Sequence, residues 1–299
     1  MQVVTRLRHL LRGYRLWVLL GLVPLLPPLL IAARSYTAEV ALFFPDRRPV
    51  SLPLAQARVL GLREVEFFNE DDVRGAWYAP TQTGPSIILA HGAGGDRTQL
   101  LPEARALTEH GFGVLLFDWP GHGTSAGRVN WHDRERSCLV AAIDWLVKQP
   151  ETDPKRVGAI GFSLGGYILS QVAKTDGRIR AMALLGTPSN LNDQVRLTHQ
   201  EWNLLREPAA RAALEWHGID LDEPQPEQVI GLYGRPLLVV GGTEDMTVPL
   251  ALTQNLFRAA RSPKALYVVP KGEHGNYVQA AGDLYLERLV SHFRALTLP

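Results

Sequence analysis

Two kinds of apolar patterning divide the chain. Leu16 to Ala33 is an uncharged, almost wholly apolar run, whereas from residue 63 onward short apolar segments of strand length alternate with helical patterns. Arg63–Phe68 and Val73–Ala79 flank the acidic Glu70-Asp71-Asp72 and predict a hairpin. Ser86–His91, Gly113–Asp118, Val157–Gly161 and Ala181–Gly186 are compact apolar runs of the kind buried on both faces of a sheet. Helices are predicted between them, over Leu100–Glu109 and Arg134–Gln149. In the second, Leu139, Ala142, Ile143 and Leu146 recur along one helix face. A further helix begins near Leu164. Strands at Leu237–Gly241 and Ala265–Val269 follow, with a helix from about Ala251 between them and a last one over Leu284–Arg294. A hairpin followed by repeated strand–helix units predicts an α/β fold, a mostly parallel eight-stranded sheet with helices on both faces.

Between about residues 187 and 235 this rhythm breaks. Trp202, Leu204, Leu205, Leu214 and Trp216 stand there among charged residues, which predicts a short cap insertion of one or two amphipathic helices. Before residue 63 the chain divides again. Leu16–Ala33 is 18 residues long, near the lower limit for a helix crossing a bilayer core. Arg6, Arg8, Arg12 and Arg15 precede it, the charge bias that keeps an amino terminus in the cytoplasm and exports the chain beyond the span. Residues 1–33 are thus expected to be a basic segment and single-pass membrane anchor, with the folded domain on the exported side. One rival is an apolar arm packed on the folded domain; the main one is a cleaved signal leading to a secreted or periplasmic protein. Its cleavage site would be Ile31-Ala32-Ala33, where Ile31 occupies a position that favours a small residue. Residues 34–62, with Pro45, Pro49 and Pro53, read as a connector, and residues 63–299 as the folded domain.

Composition narrows the chemistry. Basic and acidic residues nearly balance, 31 against 30, with no basic stripe, so nucleic acid is not an expected partner. The lone Cys138 excludes an internal disulfide and any multi-thiolate metal site. Gly121-His122-Gly123-Thr124-Ser125-Ala126 formally fits a dinucleotide fingerprint, yet Trp119 and Pro120 separate it from the strand and no helix starts at its glycines. No metal or organic cofactor is implied.

The chemistry lies in motifs just past strand ends. Gly161-Phe162-Ser163-Leu164-Gly165 matches G-x-S-x-G between an apolar strand and an apolar helix, the strand–turn–helix setting in which this motif presents a nucleophilic serine. A hydroxyl needs a base. In this motif class an acid and then a His follow the serine. Asp245, in Gly241-Gly242-Thr243-Glu244-Asp245, and His274, in Lys271-Gly272-Glu273-His274-Gly275, meet that order just past two strands; Glu244 is the competing acid. His199, His217 and His292 lie in the insertion or the last helix. An oxyanion would be held by the N–H of Leu164 and by Ala93, in His91-Gly92-Ala93-Gly94-Gly95 after the first buried strand, with His91 itself structural.

Taken in order, His91-Gly92, Asp118-Trp119-Pro120-Gly121-His122-Gly123-Thr124-Ser125, the Ser163 elbow, Asp245 with Val248-Pro249, and His274 resemble the α/β-hydrolase superfamily over about residues 63–296. With its apolar amino-terminal segment, the chain is similar to membrane-anchored α/β-hydrolase-domain proteins and to single-domain relatives of prolyl oligopeptidases. The resemblance implies a structural role for the Asp118–Ser125 turn. The expected activity is that of a serine hydrolase cleaving carboxylic esters or thioesters, of small molecules or lipids, through an acyl-enzyme, with Ser163, Asp245 and His274 catalytic. A serine peptidase or amidase of the same fold, or an inactive binding protein, are the alternatives. The cap is expected to shape an apolar acyl pocket over Ser163, with Trp202 and Trp216 in its wall.

Overall fold

The computed structural model describes residues 25–44, 50, 57–58, 60–69, 72–199 and 203–297. Its strands are β1 (Arg63–Asn69), β2 (Asp72–Ala79), β3 (Ser86–Ala90), β4 (Gly113–Phe117), β5 (Val157–Phe162), β6 (Ile179–Leu185), β7 (Leu237–Gly242) and β8 (Lys264–Val269). They form one sheet in the order β1-β2-β4-β3-β5-β6-β7-β8. The pairs β1–β2 and β2–β4 are antiparallel and the remaining pairs parallel. The helices are α1 (Leu26–Phe43), α2 (Leu101–Glu109), α3 (Asp133–Leu146), α4 (Leu164–Ala173), α5 (Leu191–Thr198), α6 (Asn203–Trp216), α7 (Pro226–Val229), α8 (Leu250–Ala259) and α9 (Tyr277–Phe293).

The continuous apolar runs arise because strand side chains alternate between two buried layers. Ile88 and Ala90 of β3, with Val157 and Ala159 of β5, face a layer completed by Leu139 of α3, Ile168 of α4 and Leu214 of α6. Ile87, Leu89, Ile160 and Phe162 face the opposite layer, completed by Leu107 of α2 and Leu289 of α9. Register places Ala90 beside Phe117 on one side and Gly161 on the other, so the three central strands end together at one rim.

Three elements depart from the sequence reading. The last helix begins at Tyr277 rather than Leu284. Gly282, at φ 52°, kinks it and interrupts the apolar period. Among its described residues the insertion holds three α-helices, α5, α6 and the single-turn α7, instead of one or two. Its apolar residues also divide: Leu214 is in the core, whereas Leu204 and Trp216 are exposed and form no acyl pocket wall; Trp202 lies outside the described residues. The helical segment α1 runs through Phe43, into the stretch read as a connector. Its buried stripe, Ser35, Glu39 and Phe43, is spaced four residues apart but is two-thirds polar, which conceals the amphipathic signal.

That stripe docks on the insertion. Glu39 meets His199 Nε2 at 3.0 Å, and Tyr36 and Phe44 pack against His217 at the carboxyl end of α6. Phe43 lies 4.6 Å from Trp131, ring to ring, and its carbonyl accepts from Trp131 Nε1 at 3.0 Å. Trp131 has φ 60°, rare for a bulky side chain, and packs in turn on Tyr167 of α4. Of the expected basic segment and anchor, residues 1–24 lie outside the described residues, and Leu26–Ala33 form the first turns of α1. No described helix is long and apolar enough to cross a membrane.

Glu103 of α2 is buried against α9. Its Oε1 accepts from the Tyr285 hydroxyl at 2.9 Å, while Oε2 has no partner among the described residues. Burial raises its pKa to about 7. The stabilisation from holding that proton is complete below the unfolded value and is lost as pH rises through about 7. Glu103→Gln, which mimics the protonated acid, should therefore gain on the native chain between about pH 5 and about pH 8, ending about 2–5 °C higher in thermal midpoint. Thermal melts of the two proteins across that range check it.

Candidate active site

β5 ends at Phe162 and α4 begins at Leu164, so the whole turn is Ser163, at φ 50° and ψ −113°. A non-glycine residue held there stores about 1–3 kcal/mol of strain. The strain is fixed by backbone bonds on both sides. Ser163 N–H donates to Leu185 O at 2.9 Å, and its carbonyl accepts from Tyr167 N–H at 3.0 Å. The flanking glycines are a steric requirement. A β-carbon at Gly161 would stand 2.6 Å from the Gly165 carbonyl, and one at Gly165 would stand 2.1 Å from Ala90 O.

Asp245 lies three residues beyond the end of β7, its side chain fully buried. Its Oδ1 accepts from the N–H groups of Thr247 and Val248, at 2.9 and 2.7 Å. Its Oδ2 is 2.8 Å from His274 Nδ1. An ionised carboxylate only accepts, so His274 carries its proton on Nδ1 and turns an unprotonated Nε2 outward. Glu244, the competing acid, is exposed. The His274 ring packs on Phe162 at 4.7 Å. Gly92 and Gly186 close on the same phenyl ring. A β-carbon on Gly92 would come within 3.2 Å of Ser163 Cβ, and one on Gly186 within 3.3 Å of His274 Cε1. Ser163 and His274 thus both lie close to Phe162 at the same rim. No hydrogen bond joins them among the described residues. Behind them, burial and then the charge of Asp245 push the Tyr277 phenol upward and keep it protonated.

The loop after β3 is held by bonds that leave one N–H open. Gly92 N–H donates to Gln99 Oε1 at 2.8 Å, Gly94 N–H to His122 Nε2 at 3.1 Å, and Gly95 N–H to Gly92 O at 3.2 Å. Between them, Ala93 N–H has no acceptor among the described residues, and neither does Leu164 N–H, at the amino end of α4. The bonds assign the tautomers of two imidazoles. His122 accepts at Nε2 and so donates from Nδ1 to Pro120 O at 3.1 Å. His91 accepts from Trp119 N–H at Nε2, 3.2 Å, and donates from Nδ1 to Gly92 O at 2.7 Å. Both must be neutral. Burial is the main cause, drawing His122 down to about 3 and His91 below its usual range.

The far end of this loop is tied to the Asp118–Ser125 turn. Arg97 donates from its backbone N–H to Asp118 Oδ1 at 2.7 Å, and from Nε and Nη2 to Oδ2 at 3.0 and 2.7 Å. Burial alone would raise the Asp118 carboxyl, but its bonds to Arg97 outweigh that and hold it below the ordinary range. Arg97, Gln99, His122, Phe162 and Tyr277 escaped the sequence reading as individual residues. Only His122 and Phe162 stood within quoted motifs, the structural turn and the serine elbow. Among the described residues no group of three His, Cys, Asp or Glu side chains is placed to hold a metal ion. Cys138 is buried, and burial pushes its thiol upward.

Known proteins share this arrangement of strands. A family model for the alpha/beta hydrolase fold matches residues 85–217. The uncharacterized protein Rv2307c of Mycobacterium tuberculosis is 31% identical over 252 residues, 83% of this chain and 84% of that one. The uncharacterized protein YfhR of Escherichia coli K12 is 29% identical over 241 residues, 76% and 78% of the two chains. Among solved structures, the Pyrococcus furiosus esterase Pf2001 superposes with a TM-score of 0.71 at 21% identity, covering 85% of this chain and 98% of that one. Matched along most of its length by relatives and by fold, the chain belongs to the α/β-hydrolase superfamily.

Proposed function

We propose that the protein is a serine hydrolase that cleaves carboxylic esters or thioesters by two-step acyl transfer. The observation that carries this reading is the Asp245–His274 bond at the rim where Ser163 is held at positive φ. His274 Nε2 takes the Ser163 proton as Oγ attacks the acyl carbonyl. Asp245 keeps the imidazole in the required tautomer and stabilises its cationic form. The open N–H groups of Ala93 and Leu164 receive the oxyanion, each worth about 10²–10³ in rate. His274 then protonates the leaving group, and in the second step activates the water that releases the acid. Esters are the substrate class favoured here: they ask least of the leaving-group step, and the structurally similar Pyrococcus furiosus protein is called an esterase.

Ser163→Ala is expected to lower turnover of a p-nitrophenyl ester by about 10⁶-fold with an unchanged melting profile. A fluorophosphonate probe should label the native chain and not this variant. Absence of labelling in the native chain would instead favour a binding protein of hydrolase fold. Asp245→Asn, which favours the wrong imidazole tautomer, should cost about 10⁴ in kcat. His122 acts as a positioning residue through Gly94 N–H. His122→Phe, which lacks an acceptor, should lower kcat about 10–100-fold at little change in KM, and His122→Gln should recover part of the loss. An unaltered kcat in His122→Phe would remove the imidazole from the account.

A further inference from the structure

Helix α1 changes partner halfway along. From Ser35 on, every fourth residue is buried against the protein. Before that point lie Leu25, Leu26, Leu29 and Leu30, between 52% and 67% exposed. Four exposed leucines within two turns make an apolar surface that water disfavours. The sequence leading into them is uncharged and apolar back to Leu16, and Arg6, Arg8, Arg12 and Arg15 stand beyond it. We infer that the amino-terminal end of α1, Leu25 to Leu30, is buried in a lipid bilayer, and that the hydrolase rim is held at the headgroup surface to act on esters carried by bilayer lipids.

The spacing along the helix supports this. Five residues separate Leu30 from Ser35, about 7–8 Å of helix axis. The headgroup layer on each side of a bilayer is about 5–7 Å deep. Docking on the protein therefore begins about where the headgroups end. Arg34 stands at the boundary, exposed, where a guanidinium can pair with lipid phosphate while its stem lies against apolar surface.

Side-chain contacts connect this end to the site. Glu39 holds His199 just past α5, and in α5 Gln194 Nε2 donates to Thr247 O at 2.9 Å, two residues from Asp245. One continuous helix and one short helix thus link the leucine end to the acid loop. The substrate half of this inference rests on the acyl-transfer reading above.

The test uses the full chain, purified in detergent and transferred to vesicles of phosphatidylcholine and phosphatidylglycerol. The native chain should float with the vesicles. The double variant Leu29→Glu, Leu30→Glu, altered only at exposed positions, should keep its melting profile and its turnover of soluble p-nitrophenyl acetate. Its flotation should fall about tenfold or more. Its hydrolysis of a long-chain fluorogenic ester embedded in the vesicles should fall with it. Equal flotation of variant and native chain would overturn the surface. So would a variant that floats normally but sediments as a monomer where the native chain is a dimer, since the leucines would then pair two copies. Equal hydrolysis of the embedded ester, despite lost flotation, would overturn the substrate class. If neither protein cleaved even the soluble ester, the acyl-transfer reading would fail, and flotation alone would still decide the surface.

Discussion

Helix α4 and the end of β3 approach so closely that no side chain fits between them, and the rest of the rim depends on that approach. With Gly165 against the Ala90 carbonyl, the helix starts one residue after its strand, and the single turn residue is forced to positive φ. The geometry projects Ser163 out of the sheet and sets the first N–H of α4 beside it. A helix amino end also favours developing negative charge. A larger residue at position 165 would push the helix away and relax the turn, removing serine placement, the open N–H and dipole together.

Much of this was legible in the amino-acid sequence, for identifiable reasons. Strands such as Ile87–Leu89 are apolar on both faces because helices cover both, and their ends set the motifs in register. Asp245 and His274 stood out because each follows a strand by a few residues, and the structure bonds one to the other. What was not legible is mostly long-range. Nothing local shows that Gln99 reaches Gly92 N–H, or that the ring of Phe162 packs on His274. The extent of α1 was hidden for a different reason: it buries Ser35 and Glu39, so its docked face does not read as apolar. Gly282 likewise concealed the first turns of α9 by placing a kink inside one helix.

The loop after β3 is held by neutral imidazoles where ordinary hydrophobic side chains would also fill space. His91 and His122 pack edge to face at 5.0 Å, each accepting a backbone N–H at one nitrogen and donating to a carbonyl at the other. A neutral histidine is suited to this because it offers one donor and one acceptor on opposite sides of a rigid ring. Burial keeps both unprotonated, so the loop geometry holds across the physiological pH range. The protein therefore uses histidine in two ways at one rim. His274 is partly exposed and faces a carboxylate, whereas the pair behind the loop is buried and bonded to backbone.

Arg97 and Asp118 form an ion pair in which neither side chain reaches water. Losing one partner of such a pair leaves a bare charge in the interior, a penalty of about 3–5 kcal/mol and a large part of a domain's net stability. Neither residue can drift alone through the substitutions open to a surface position. The two loops they join, one presenting Ala93 and the other carrying His122, must consequently change together over evolutionary time.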